Sequence, residues 1–136
     1  MSKEIPRAIP NANQLKYLEA QEVGRLAVST RDGMPHVTPI IYAMDDIYPI
    51  IATDYGTKKL KILLENNKVS LVVDEVNPIK GIMIQGTAEI FERGKEYLRL
   101  LKVLYDRLEE YRNNPWKEGE SPLIKITPVH ISSWGI

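Results

Sequence analysis

The stretch Arg25-Leu26-Ala27-Val28-Ser29-Thr30, followed by Arg31-Asp32-Gly33 and by Pro35-His36-Val37-Thr38-Pro39-Ile40-Ile41, sets the fold class. Leu26 and Val28 alternate with Ala27 and Ser29, the period of a half-buried strand. Asp-Gly supplies the positive φ angles of a tight hairpin turn, so a second strand returns beside the first. That strand is predicted from Pro35 to Met44 with Pro39 inside it. A proline cannot donate to a ladder, and here it marks a bulge or a sheet edge.

Working outward, further strand signals follow with turn residues between them. Asp45-Asp46 turns the chain into a third strand, Ile47 to Thr53, interrupted by Pro49. Val69 to Val73 is a compact β-branched run, read as a buried strand. Val76-Asn77-Pro78 turns into Gly81 to Glu92, where Gly86 signals a bulge or a close backbone approach. Leu123 to Ile126 is the last strand. Pro128 breaks the pattern, and alternation resumes from His130 to Trp134. Three helical patterns lie between. Asn11 or Asn13 caps one running to about Gln21, with Leu15, Leu18 and Val23 inward and Gly24 as its stop. Thr57 caps a second, with Leu60, Leu63 and Leu64 at helical spacing and Asn66-Asn67 at its end. Lys95 to Arg112 is the third, with Tyr97, Leu101, Leu104, Leu108 and Tyr111 along one face. The expected fold is mainly β with peripheral helices: a six-stranded antiparallel barrel. Residues 1–136 read as one domain, with residues 1–12 as a polar N-terminal arm.

Composition narrows the function. The 136 residues carry 18 Lys plus Arg and 18 Asp plus Glu, a net charge of zero. Nucleic-acid binders rest on a basic face, so that class is disfavoured, and neutrality makes self-association reasonable. Cysteine is absent, which excludes disulfides, thiol nucleophiles and thiolate metal sites. No signal core opens the chain and no run is long enough to cross a bilayer, so a cytoplasmic protein is expected. His36 and His130 have no ligand spacing around them, and no metal site is expected. Asp45-Asp46 and Asp74-Glu75 fall at turns. No nucleophile elbow, P-loop or dinucleotide motif occurs. Any hard chemistry would then belong to a cofactor, and no catalytic side chain is assigned.

Thr53-Asp54-Tyr55-Gly56-Thr57-Lys58-Lys59 is the one electrostatic oddity. A helix start is positive and favours acids, yet two lysines stand there, at a cost of a few tenths of a kcal/mol each. An anion reverses that sign, because N–H groups, a hydroxyl and two cations converge on it. Either a cofactor phosphate binds here, or both lysines lie along a solvated surface. The proline-interrupted Pro35–Ile41 strand could carry a planar heterocycle on its main-chain groups, or be merely irregular. Trp134 is either core or a stacking wall, and Trp116 reads as a loop anchor.

In order, Gly24-Arg25-Leu26-Ala27, Asp32 to Pro39, Ala52 to Lys59, Leu60, Asn66, Val69 and Gly86-Thr87-Ala88-Glu89 form a series. This series resembles the pyridoxamine 5′-phosphate oxidase-like, FMN-binding split-barrel family over roughly Glu19 to Ile136. The resemblance implies a six-stranded Greek-key split barrel that forms a homodimer with two flavin sites at the interface. Val37, Thr38, Pro39, Ile40 and Ile41 would flank the isoalloxazine ring, with Ala52 and Thr53 also touching it. Thr57, Lys58 and Lys59 would hold the phosphate. Trp134 matches a tryptophan near the cofactor, reached from the partner. Two departures stand out. Gly81 replaces a flavin-contacting glutamine, and the chain stops two residues after Trp134, where oxidases carry a basic substrate clamp. Vitamin B6 oxidation is therefore not expected. The implied activity is an oxidoreductase moving hydride through flavin N5 between a nicotinamide donor and a small acceptor. The alternatives are a non-catalytic flavin-binding module and the same fold using deazaflavin F420.

Overall fold

The computed structural model describes residues 5–136, so residues 1–4 of the expected arm lie outside the described residues. The elements run α1 (Ala12–Ala20), β1 (Val23–Ser29), β2 (Pro35–Ile41), β3 (Ala43–Asp45), β4 (Tyr48–Ala52), α2 (Lys58–Glu65), β5 (Lys68–Val76), β6 (Ile79–Phe91), α3 (Lys95–Arg107), α4 (Glu109–Asn113) and β7 (Leu123–Trp134). The seven strands form one sheet in the order β2-β1-β5-β6-β7-β4-β3. Every ladder is antiparallel.

This order explains the barrel. β2 and β3 stand at opposite edges of the sheet, yet only Tyr42 separates them in sequence. The sheet must therefore curl until its edges meet, and the chain rather than a ladder closes it. β2 touches β4 there without pairing. The predicted Pro35–Met44 strand is thus two strands, which raises the count from six to seven. Tyr42 holds the break: its N–H donates to the Glu22 carbonyl at 2.9 Å and its buried hydroxyl to the Leu18 carbonyl at 2.6 Å. Pro39 lies on an edge strand, as its missing N–H requires.

Alternation does what the sequence indicated. Leu26 and Val28 of β1 face the interior with Leu71, Val73, Ile82, Ile84 and Ile126, and Leu18, Ile62 and Leu63 from α1 and α2 close this core. A second core lies under α3, where Tyr97, Leu100, Leu101, Leu104 and Leu108 meet Ile50, Phe91 and Leu123. Leu64 is 72% exposed and Ile62 takes its place inside. Asn11 caps α1 with a full capping box. That helix ends at Gln21, before Gly24, which lies within β1 instead. A Cβ on Gly24 would stand 2.9 Å from Leu71 Cδ1. Gly86 meets both of its expectations: the β6–β7 register shifts beside it, and a Cβ would lie 2.2 Å from the Thr127 carbonyl oxygen. β7 runs on through Pro128 by means of that shift.

Candidate functional site

The start of α2 is built around Thr57. Its hydroxyl accepts from the Leu60 N–H at 3.3 Å, donates to the Asp54 carbonyl at 3.0 Å and lies 3.3 Å from the Thr53 hydroxyl. The N–H groups of Lys58 and Lys59 stand in the first turn, where no intrahelical acceptor exists. The two lysines then diverge. Lys58 is exposed and lines a cleft of about 430 Å³ with Thr30, Thr57, Lys61 and Glu65. Lys59 is half-buried, and desolvation pulls its ammonium below the usual lysine range against the opposing pull of Asp54. Among the described residues, neither lysine joins an ion pair. A half-buried cation with no partner, at the positive end of a helix, is a site that favours a negative group.

β2 carries the second feature. Thr38 and His36 pair with Leu26 and Val28, so they share the inner face. The Thr38 hydroxyl oxygen and His36 Nδ1 are buried with no hydrogen-bond partner. Val37, 63% exposed, and Pro39 face outward, while Ile40 is buried and Ile41 half-buried. Ala52 ends β4, Thr53 follows it, and both line a small cleft of about 210 Å³ with Tyr111 and Trp116. Contacts between β2 and β4, and between Thr53 and Thr57, link these segments into one neighbourhood.

Trp134 does not join it within one chain. It pairs with Gly81, which pairs in turn with Asp74, and Asp74 bonds Arg25 near the start of β1. α2 is fastened at the other end of β1, where Asn66 Nδ2 donates to the Ser29 carbonyl at 2.9 Å. Thr30, the residue after β1, shares a cleft with Thr57 and Lys58, so Trp134 and the α2 start are separated by most of β1, at about 3.3 Å per residue. At 39% exposure Trp134 is not core. Its indole covers Gly81 so closely that a Cβ there would stand 2.6 Å from Cζ2. A side chain at position 81 and this tryptophan placement exclude each other.

Lys61 was not singled out from the sequence, although it lies four residues beyond Thr57 and three beyond Lys58, on the same helix face. Trp116 is a loop anchor as expected. Its indole N–H donates to the Tyr97 hydroxyl at 2.9 Å, and it packs edge-on against Tyr105 and Tyr111. His130 is exposed on its strand, whereas the buried His36 Nδ1 was not foreseen.

Residues 11–135 match the family model described as Pyridoxamine 5′-phosphate oxidase. A 5a,11a-dehydrotetracycline/5a,11a-dehydrooxytetracycline reductase of Streptomyces rimosus is 29% identical over 132 residues, 90% of this chain and 81% of that protein. The crystal structure of a FAD-binding protein from Mesorhizobium loti superposes with a TM-score of 0.76 at 24% identity, covering 92% of this chain and 94% of that one. A heme binding protein from Mycobacterium smegmatis gives 0.75 at 17% identity, over 94% of this chain and 55% of the other. The two structural likenesses establish the split-barrel fold. No helix among the described residues is long and apolar enough to cross a membrane.

Proposed function

This chain belongs to the pyridoxamine 5′-phosphate oxidase family, and on that premise we propose that it is a cytoplasmic FMN-dependent oxidoreductase that works as a homodimer. The observation that carries the reading is the set of unsatisfied groups around α2 and β2. Among the described residues Lys58 and Lys59 join no ion pair, the first amides of α2 have no intrahelical acceptor, and the Thr38 hydroxyl is buried without a partner. A phosphate on the first two and a hydrogen-bonding heterocycle on the third would satisfy all of them, so the residues present fit FMN. The Streptomyces relative is itself a reductase, which supports redox chemistry on this scaffold.

Bound FMN supplies reversible hydride chemistry, here between a nicotinamide donor and a small acceptor. The chain's own residues bind and orient. Lys58, Lys59 and the capped helix start hold the phosphate, Thr57 keeps that start wound, and the Thr38 hydroxyl fixes the ring against Val37–Ile41. Ala52 and Thr53 wall the same side and exclude water. Trp134 lies at the far end of β1 in its own chain and serves the partner's site, which is why two copies are needed. Gly81, covered by that tryptophan, leaves no room for the side-chain donor of the vitamin B6 oxidases.

Flavin fluorescence quenching on titration of the purified protein tests the cofactor. Saturable binding with one FMN per chain is expected. NADH or NADPH oxidation faster than with free FMN separates the enzyme from a non-catalytic flavin module. A protein that leaves flavin fluorescence unchanged would overturn the reading.

A further inference from the structure

A second group of basic side chains lies on the outer face of the sheet. Arg7, Lys68 and His130 line a cavity of about 550 Å³ together with Gln85 and Thr87. Among the described residues, no acidic side chain lines it and none of the three basic residues joins an ion pair. In a protein with as many acids as bases, this concentrates positive potential in one concave place.

The backbone is shaped to bring these groups together. Lys68 stands opposite Thr87, and Gln85 opposite His130, so all four side chains project from the same face. The register shift beside Gly86 leaves Val129 without a partner and re-aims His130 toward Gln85. The Arg7 N–H donates to the Pro128 carbonyl at 3.0 Å, which fastens the arm to β7 at that bulge and sets Arg7 in the cavity lining. Two polar atoms remain unspent. The hydroxyl oxygens of Thr87 and of its cross-strand neighbour Thr127 are buried without a hydrogen-bond partner, and Thr127 is only 1% exposed. Buried hydroxyls of this kind cost stability unless something engages them.

We propose that this cavity is a binding site for a small-molecule oxyanion, a phosphate or a carboxylate. Arg7 and Lys68 supply charge-assisted donors, His130 and Gln85 supply directional ones, and the Thr87 hydroxyl completes the floor. The site is separate from the α2 cradle and does not rest on the flavin reading.

The test uses the full-length, flavin-free, ¹⁵N-labelled protein, titrated in parallel with inorganic phosphate and with acetate. Saturable amide shifts at Lys68, Thr87 and His130 are expected. A response to phosphate alone assigns a phosphoryl ligand, and a response to acetate as well admits carboxylates. Arg7→Gln with Lys68→Gln removes two charge-assisted contacts, and each should raise the dissociation constant about tenfold or more. Thr87→Val keeps the shape and should weaken binding less. Lys58→Ala with Lys59→Ala should leave these shifts unchanged, which separates this site from any anion bound at α2. Absence of saturable shifts with both ions, or shifts undiminished in the Arg7/Lys68 variant, overturns the proposal.

Discussion

Two polar regions of this molecule are built from similar side chains and differ in one respect. Around the loop that follows α4, the Tyr97 and Tyr105 hydroxyls and the Trp116 N–H groups all find partners. The Tyr97 hydroxyl donates to the Ser121 carbonyl at 2.7 Å and receives the Trp116 indole N–H, while the Tyr105 hydroxyl donates to the Trp116 carbonyl and receives its N–H, both at 3.0 Å. Around β2 and α2 the groups left over among the described residues are the Thr38 hydroxyl, His36 Nδ1, the first amides of α2 and two lysines outside any ion pair. A closed network holds a loop in place and asks for nothing more. An open one costs free energy in the isolated chain, and it is the open one that marks a binding site. Substitutions in the open region should therefore move flavin affinity and spare the fold. Those in the closed region should do the reverse.

The largest effect is expected from Lys58→Ala combined with Lys59→Ala. Two charge-assisted contacts at roughly 1.5–3 kcal/mol each give a loss of about 3–6 kcal/mol in FMN binding, read by fluorescence titration. Thermal stability of the apo protein should hold or rise slightly, because two cations leave the positive end of a helix. Retention of FMN in this variant would break the contrast. Next comes Trp116→Ala in the closed region. The indole is partly exposed, so the low end of the range for buried aromatic truncation applies, about 3 kcal/mol by chemical denaturation. Its FMN affinity, measured on the folded fraction, should fall far less than in the lysine variant, since Trp116 meets the flavin neighbourhood only through the cleft it shares with Ala52 and Thr53.

How far the sequence foretold these regions depends on what each feature needed. Alternation in β1 and the Asp-Gly hairpin are local, and they stand where the periodicity put them. The cap at Thr57 and the anchor at Trp116 were also legible, since each rests on a short-range rule. The seventh strand was not. Residues 35–41 and 43–45 are strand, and only Tyr42, where the partner changes from β1 to β4, divides them. A helix predicted to run unbroken from Lys95 to Arg112 is interrupted at Leu108, whose φ of −118° and ψ of 105° are extended. No glycine or proline announces that break, and Leu108 fits the apolar face of a continuous helix. Gly24 misled in the opposite direction. Its lack of a side chain serves packing against Leu71 and Val73, not the end of α1. The unsatisfied state of Thr38 depends on every neighbour at once and had no local signal.

Thr38→Val sharpens the comparison at a single atom. Valine keeps the shape and removes the unpaired hydroxyl, so the apo protein should gain about 1 kcal/mol, the order of an unmet buried hydrogen-bonding group. FMN affinity should fall by a similar amount, about fivefold to tenfold. Opposite signs in the two measurements are the expected outcome. A loss of apo stability would mean that the hydroxyl is already engaged and that β2 belongs with the closed region.

The smallest effect concerns pH and contrasts the lysines of α2 with the ion pairs of α3. Arg99 forks onto Asp45, with Nη1 and Nη2 at 3.0 and 2.8 Å from its two oxygens, and its Nε lies 2.6 Å from Glu96. The Arg99 hydrogen bonds hold both carboxyls below the usual carboxylate range, against the partial burial of each. A depressed folded-state value means that the unfolded chain binds protons first. The stabilisation is thus complete above the ordinary carboxylate pKa of about 4 and is lost as pH falls through the lower folded values. Asp45→Asn removes one of these groups, so the variant should be slightly less stable at neutral pH and lose less stability on acidification. Thermal melts taken from neutral pH down to about pH 3 measure both. Among the described residues Lys58 and Lys59 join no ion pair, and Asp54 acts on Lys59 without forming one, so their double alanine variant should nearly keep the acid limb of the unaltered chain. A shallower limb in that variant would reveal a hidden acid at α2 and close the network that the flavin reading requires to be open.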